Sequence, residues 1–261
     1  MHNLTDDIPS IRSGLRPILN ELLSGNHPKL PATDTETSPE MLAAAFEQML
    51  EVMQRVESDF QAMPVESATL SAEKRLQHPM LADGNDVTEL GEYAFRLLEN
   101  LGVWLDRLGT PDRHRLAELT LAFALWVSRH DGSIATLEPA VDALSLLANS
   151  TKEIPELKVL GSAMEEITKS VSAFISQDRE KANPGRPWRI LILNQGIIAT
   201  RTHDPELMEK AFEVLIEKLP EDAPQFFSEG MQQMEALDYP AQVRAVVERY
   251  HKQCGIRQSL H

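Results

Sequence analysis

Pro187-Trp188-Arg189-Ile190-Leu191-Ile192-Leu193-Asn194-Gln195-Gly196-Ile197-Ile198-Ala199-Thr200-Arg201-Thr202-His203 is the stretch on which the reading of the fold turns. As strands, Ile190 to Leu193 and Ile197 to Thr200 would be two β-rich runs about an Asn194-Gln195-Gly196 turn. As a helix, the stretch opens on a proline whose fixed φ suits a first turn, and Asp204-Pro205 closes it and opens the next. The helix is preferred. A lone two-stranded hairpin is marginal in water, and nothing nearby reads as further strands.

Working outward, three more helices are expected downstream, at about 205–219, 221–237 and 239–253, with Pro205, Pro220, Pro224 and Pro240 near their starts or junctions. Gly196 and Gly230, Asp204 and Asp238, Ala211 and Ala245, and Phe212 and Val246 all stand 34 residues apart, the period of a helix-turn-helix repeat. On these residues, 187–254 resembles a pair of tetratricopeptide-type helical hairpins. Gly196 and Gly230 match the family's small-residue position, and Phe212 and Pro220 its aromatic and closing-proline positions. Aligned on the glycines, the family's small residue of the second helix falls on Met208 and Gln242, a departure from its pattern. The resemblance implies a groove that binds a peptide or a partner helix.

Upstream, Gln177-Asp-Arg-Glu-Lys-Ala-Asn-Pro-Gly-Arg-Pro187 is polar and rich in turn formers, and it reads as a domain boundary. Before it, residues 39–178 read as a helical bundle. Ser38-Pro39-Glu40 caps a helix carrying Leu42, Ala45, Met49, Val52, Val56 and Met63, with its methionines expected as core filler. A linker with Pro64, Pro79 and Asp83-Gly84-Asn85 precedes a helix from about Asp86, whose stripe Val87, Leu90, Ala94, Leu97, Leu101, Trp104 and Leu108 stops at Gly109-Thr110-Pro111. The next helix, about 111–130, is apolar over a breadth that implies burial on more than one side. Helices at about 136–149 and 153–178 follow; the second steps Leu157, Leu160, Met164, Ile167, Val171 and Phe174, a stripe for packing within the chain or for a homodimer seam. Residues 1–38, with four prolines and the run Thr33 to Ser38, are expected to be a flexible arm. Within it, Ile11, Leu15, Ile18, Leu19, Leu22 and Leu23 fall at helical spacing and could dock on the body or on a partner.

The whole is expected to be all-α: an antiparallel bundle or irregular α-solenoid with C-terminal helical hairpins. Low aromatic content, 5%, against 42% hydrophobic residues favours that class. A net charge of -15 repels phosphate and anionic lipid, which argues against nucleic acid as a partner. The longest apolar run, Leu119 to Val127, is far shorter than the ~20 residues a membrane-spanning helix needs. One cysteine, Cys254, and the absence of a basic-then-apolar leader at Met1 make the cytoplasm the expected compartment.

Candidate chemistry is sparse, and no catalytic residue, metal site or cofactor is assigned. Glu248-x-x-His251 has the spacing of one di-iron half-site, but those sites need the motif twice; with Cys254 nearby, a surface histidine and a small apolar cysteine are the simpler reading. His130-Asp131 and His203-Asp204 recur at helix ends, where capping accounts for them. Charge is uneven, acidic over 34–66 and 204–222 and basic over 239–261. The expectation is a non-catalytic adaptor or scaffold that binds a peptide or helix of another protein. Glu206, Glu209 and Glu213 would steer a basic peptide, and Asn194 and Gln195 would hydrogen-bond its backbone, unless the core satisfies them. The alternatives are a helical metal- or cofactor-dependent enzyme and a structural homo-oligomer.

Overall fold

The computed structural model describes residues 6–24, 37–61 and 84–258, which form eleven α-helices and no strand. The helices are α1 (Ile8–Ser24), α2 (Pro39–Gln61), α3 (Gly84–Leu108), α4 (Arg113–Arg129), α5 (Glu138–Ser150), α6 (Ile154–Ser170), α7 (Ala173–Ser176), α8 (Pro187–Arg201), α9 (Pro205–Lys218), α10 (Ala223–Ala236) and α11 (Ala241–Gln258). The fold is all-α, and the decisive stretch is helix α8. The chain divides into two compact units, Met1–Ala143 with Lys169–Phe174, and Leu144–Thr168 with Ile175–His261. The division falls inside α5, and the polar segment 177–187 lies within the second unit.

In the first unit, α1 packs on α2, α3 and α4, and α3 packs on both α2 and α4. Part of the expected arm is therefore structural. Asp7 caps α1 by accepting from the Ser10 N–H at 2.9 Å, and Ile8, Ile11, Leu15, Ile18, Leu19 and Leu22 are buried. Pro17 lies on the exposed side of α1, where water can take the carbonyl it leaves unbonded. The rest of the arm before Asp6 and over 25–36, the linker from Pro64 to Asp83, and Met63 lie outside the described residues. On α2, Met49 and Met53 are buried core filler as expected, whereas Met41 is exposed.

Helix α4 is the centre of this unit, with every residue from Leu119 to Val127 buried. Its start is capped by Asp112, which accepts from the Arg115 N–H at 3.1 Å, and Gly109, at φ 72, turns the chain into it from α3. At its end the His130 ring stacks on Trp126 at 4.6 Å and lies 2.7 Å, from Nδ1, to the Trp126 carbonyl. That is the helix-end role expected of it. Gly132 then passes so close to Val87 and Val127 that an added Cβ would lie 2.6 Å from Val87 Cγ1.

Helix α6 is shorter than its periodicity predicts. The Ser170 carbonyl accepts from the Ile134 N–H at 2.8 Å and the Ser172 N–H donates to the Ile134 carbonyl at 3.0 Å, so a parallel bridge replaces the next helical turn. Leu157, Leu160, Met164 and Ile167 are buried inside the chain, which removes them as a dimer seam. Phe174, the last residue of the expected stripe, falls on α7 and is 75% exposed.

The second unit is built around α8. Arg201 donates to the carbonyls of Ala148 (2.7 Å) and Thr151 (2.6 Å), a cation closing the C-terminal end of α5. Gly161 faces Ile198, and Gly196 lies under the Phe226 ring, where an added Cβ would stand 2.8 Å from the ring. Helices α8 and α9 form one hairpin, α10 and α11 a second, and α9 packs on α11. Phe212, Phe227 and Tyr250 fill the space between hairpins, with ring centroids 4.9 to 5.6 Å apart.

Burial repeats between the two hairpins at 35 residues, not 34. Trp188 and Ala223, Ile192 and Phe227, Ala199 and Met234, Met208 and Val243, Ala211 and Val246, Phe212 and Val247, Leu215 and Tyr250, and Leu219 and Cys254 are eight such pairs, all buried. At 34 residues, Met208, Ala211, Leu215 and Leu219 would instead match exposed Gln242, Ala245, Arg249 and Gln253. Gly196 and Gly230 are accordingly not equivalent. The first faces Phe226 of the next hairpin, the second faces Val247 of its own.

The polar segment 177–186 is the other departure from expectation. Asp178 and Arg186 are both buried, and the guanidinium donates from Nε and Nη2 to the two carboxylate oxygens, the Nη2 bond at 2.9 Å. Arg186 Nη1 also donates to the carbonyls of Lys181 and Asn183, at 3.3 and 3.1 Å. A segment that composition reads as a linker is closed into a loop by its own ion pair.

Candidate functional site

The residues expected to bind a peptide are divided between two places. Asn194 donates to the Ser145 hydroxyl at 2.9 Å, which ties α8 to α5. Gln195 is 7% exposed, and its Oε1 accepts no hydrogen bond from the described residues. Gln195 is buried and Asn194 half-buried, and the Asn194 amide is taken up by a neighbour within the second unit, the alternative the sequence left open for it. The buried residues Leu191, Ile192, Gly196, Ile198 and Ala199 place one side of α8 in the core, while Ile197 on its other side is exposed.

Glu206, Glu209 and Glu213 lie on α9, which meets α11 at Glu209. Glu206 and Glu213 are exposed. Glu209 is held by Arg249 of α11, whose Nη2 donates to Oε1 at 2.6 Å while its guanidinium lies 5.1 Å over the Tyr250 ring. The Tyr250 hydroxyl donates to the Glu209 backbone carbonyl at 3.4 Å. Burial pushes the Tyr250 phenol above its ordinary value, and the charge of Glu213 adds to that push. The basic end of the chain thus already neutralises part of the acidic face of α9.

The start of α9 is fixed by Asp204, which accepts from the N–H groups of Glu206 and Leu207 and from Lys158 Nζ at 2.6 Å. The hydrogen bond from Lys158, with the two N–H groups, holds the Asp204 carboxyl below the usual carboxylate range. The preceding residue, His203, turns the chain at φ 55, and its ring meets Tyr239 edge-on at 5.5 Å. The turns that close the two hairpins, before α9 and before α11, therefore lie side by side.

Next to that ring contact is an open cleft of about 590 Å³, lined by residues 238–241 with Arg244, Ala245 and Glu248. Arg244 forms part of its wall, held there by donation from Nη2 to the Met234 carbonyl at 2.6 Å. Glu248 accepts from Lys252 at 2.5 Å, and that lysine depresses its carboxyl. The acid of the Glu248-x-x-His251 spacing is thus paired along its own helix with Lys252, and Cys254 is buried in the core. Among the described residues, no three His, Cys, Asp or Glu side chains are placed to hold one metal ion.

Sequence reasoning gave Tyr239, Arg244 and Ala245 no binding role: the first two lie in the basic stretch 239–261, and Ala245 entered only as the 34-residue match of Ala211. The signal that could have placed Ala245 at the surface is apolar-to-apolar pairing at 35 residues, which takes it off buried Ala211 and onto exposed Lys210. The other buried charged or ionisable groups are committed to the fold: His130 to the end of α4, and Asp178 and Arg186 to each other. No described helix is long and apolar enough to cross a membrane. Compared with protein-family models, curated proteins and solved structures, the chain matches none.

Proposed function

We propose that the protein is a non-catalytic interaction module, an adaptor or scaffold of the cytoplasm that holds a helix or peptide of another protein against the α9–α11 side of its second unit. The observation that carries this reading is the open cleft beside the paired hairpin turns, walled by Tyr239, Arg244 and Ala245. Helical hairpins present such surfaces without chemistry of their own. The resemblance of 187–254 to tetratricopeptide-type hairpins points the same way, although the burial period and the buried position of Gln195 depart from it. At long range the net charge of -15 favours a cationic partner, and exposed Glu206 and Glu213 extend that field along α9.

The test is affinity capture from the native cell extract with the full chain, run beside Ala245→Trp, which fills the cleft, and the pair Glu206→Lys, Glu213→Lys. A polypeptide retained by the parent, released by rising salt and lost from a variant supports the reading. Equal retention by all three forms sinks it. Stoichiometric metal in the purified protein would shift weight to the alternative of a metal-dependent helical enzyme.

A further inference from the structure

Against α9, the second unit already contains a worked example of helix docking. Helix α11 meets α9 at Glu209, beside exposed Glu206, Lys210 and Glu213, and it fixes its register there through Arg249 to Glu209 and through the Tyr250 hydroxyl to the Glu209 carbonyl. The 35-residue correspondence of the two hairpins carries Glu206, Glu209, Lys210 and Glu213 onto Ala241, Arg244, Ala245 and Glu248. Those four residues line the open cleft. The cleft thus contains, at Arg244, the position of the second hairpin that corresponds to Glu209 of the first, where α11 meets α9.

We infer that the cleft receives an α-helix of another polypeptide, seated on α11 as α11 is seated on α9, and bearing a carboxylate opposite Arg244. The charge follows from the exchange between the hairpins. Where α9 offers Glu209 to an arginine, α11 offers Arg244, and the complementary group is an acid. The bare patch of Ala241 and Ala245 lets a helix backbone approach closely, and the Tyr239 ring supplies an apolar edge. A partner that is cationic overall still meets this requirement, since the carboxylate concerns one register position. This inference rests on the reading of the chain as an interaction module and adds to it the place, the secondary structure and the local charge of what is bound.

The probe is a labelled peptide with the sequence of residues 239–258, in which Arg249→Glu supplies the carboxylate and Cys254→Ala removes the thiol; the peptide retaining the arginine is the control. Fluorescence anisotropy with the full chain is expected to show the glutamate peptide bound at least about tenfold more tightly than the control. Arg244→Glu in the protein reverses that order, and Ala245→Trp, at an exposed position that leaves the core intact, abolishes binding of both. An unchanged order in Arg244→Glu, indifference to Ala245→Trp, or no binding of either peptide overturns the inference. A preference that follows Glu209→Arg instead also overturns it, because the peptide has then displaced α11 from α9. Sedimentation of the full chain is expected to show no self-association that Ala245→Trp removes; such a dimer would make the occupant a second copy. Retention of a native partner that is indifferent to Ala245→Trp and Arg244→Glu but lost with Glu206→Lys, Glu213→Lys would leave the module reading standing and this one refuted.

Discussion

Replacing Arg186 by methionine tests whether the segment 177–186 is a linker or a structural part of the second unit. The side chain makes two bonds to the Asp178 carboxylate and two to the carbonyls of Lys181 and Asn183, and both members of the ion pair are less than a tenth exposed. The hydrogen bond it donates to Asp178, reinforced by that carboxylate's charge, holds the guanidinium pKa above its ordinary value. Removing the cation strands a buried carboxylate, a loss of about 3–5 kcal/mol. For a chain of this size that corresponds to a fall of roughly 10 °C in the melting temperature. Most of the loss comes from the stranded charge, so Asp178→Asn added to Arg186→Met should recover at least ~1 kcal/mol. Asparagine also tolerates the left-handed backbone at Asp178, where φ is 49. Trp188, two residues past Arg186 and buried, reports the transition by fluorescence during urea unfolding of the full chain with Trp104 and Trp126 replaced by phenylalanine. A cost below ~1 kcal/mol for Arg186→Met, or a double variant no more stable than it, would refute the argument.

Three further outcomes follow from local geometry. Gly196→Ala should destabilise the second unit by about 1–3 kcal/mol, because the new Cβ meets Phe226 and Leu215 of two packed helices; Gly255→Ala, where the space is open, should be neutral or stabilising by a few tenths. Thermal melts of the two variants check the contrast, and similar shifts would sink it. Burial lifts the Glu57 carboxyl above its ordinary value against the opposing charge of His130 and the Ile8 N–H. A carboxyl raised in the folded state loses stability as pH climbs from the unfolded value through the folded one, so Glu57→Gln should be at least as stable as the parent at neutral pH, with the gap closing on acidification; a gap that widens in acid contradicts this. Asp204→Ala should cost about 1 kcal/mol through loss of the α9 cap. Because Lys158 depresses this carboxyl, that contribution is present above the unfolded value and lost as pH falls through the folded one, which a pair of melts in mildly and strongly acidic buffer would show.

Helical class and most helix limits were legible because the residues that decide them act locally. Pro187 and Pro205 open helices, Asp204 caps one, and Gly109 stops one, each within a turn of where it stands. The stripe on α6 was read correctly through Ile167 but carried too far. What ends the helix at Ser170 is a partner at Ile134, which periodicity cannot see. Asp178 and Arg186 misled for the same reason. In a polar run with two prolines and a glycine they have the composition of solvated chain, and only the closure of the loop brings the carboxylate and the guanidinium together away from water. Asn194 shows the limit at the candidate site: an amide in an apolar helix fits a ligand or a neighbour equally well in the sequence, and its neighbour, Ser145, is 49 residues away.

The difference between a period of 34 and one of 35 is one residue, but on a helix one residue is a rotation of about 100°. Matching Gly196 to Gly230 turns Gln242, Arg249 and Gln253 toward the core of the second hairpin, where three polar side chains would need partners. Matching by burial turns Val243, Tyr250 and Cys254 inward instead, and those residues are buried. Side-chain polarity decides between the registers, because burying an unpaired charge or amide costs far more than displacing a glycine from a place where its small size suits the packing. The same rotation fixes which side of α11 faces water. It lifts Ala245, which a period of 34 would match to buried Ala211, out of the core onto the surface beside Arg244, the counterpart of Glu209 on α9, and so relates the open cleft to a contact the molecule already makes.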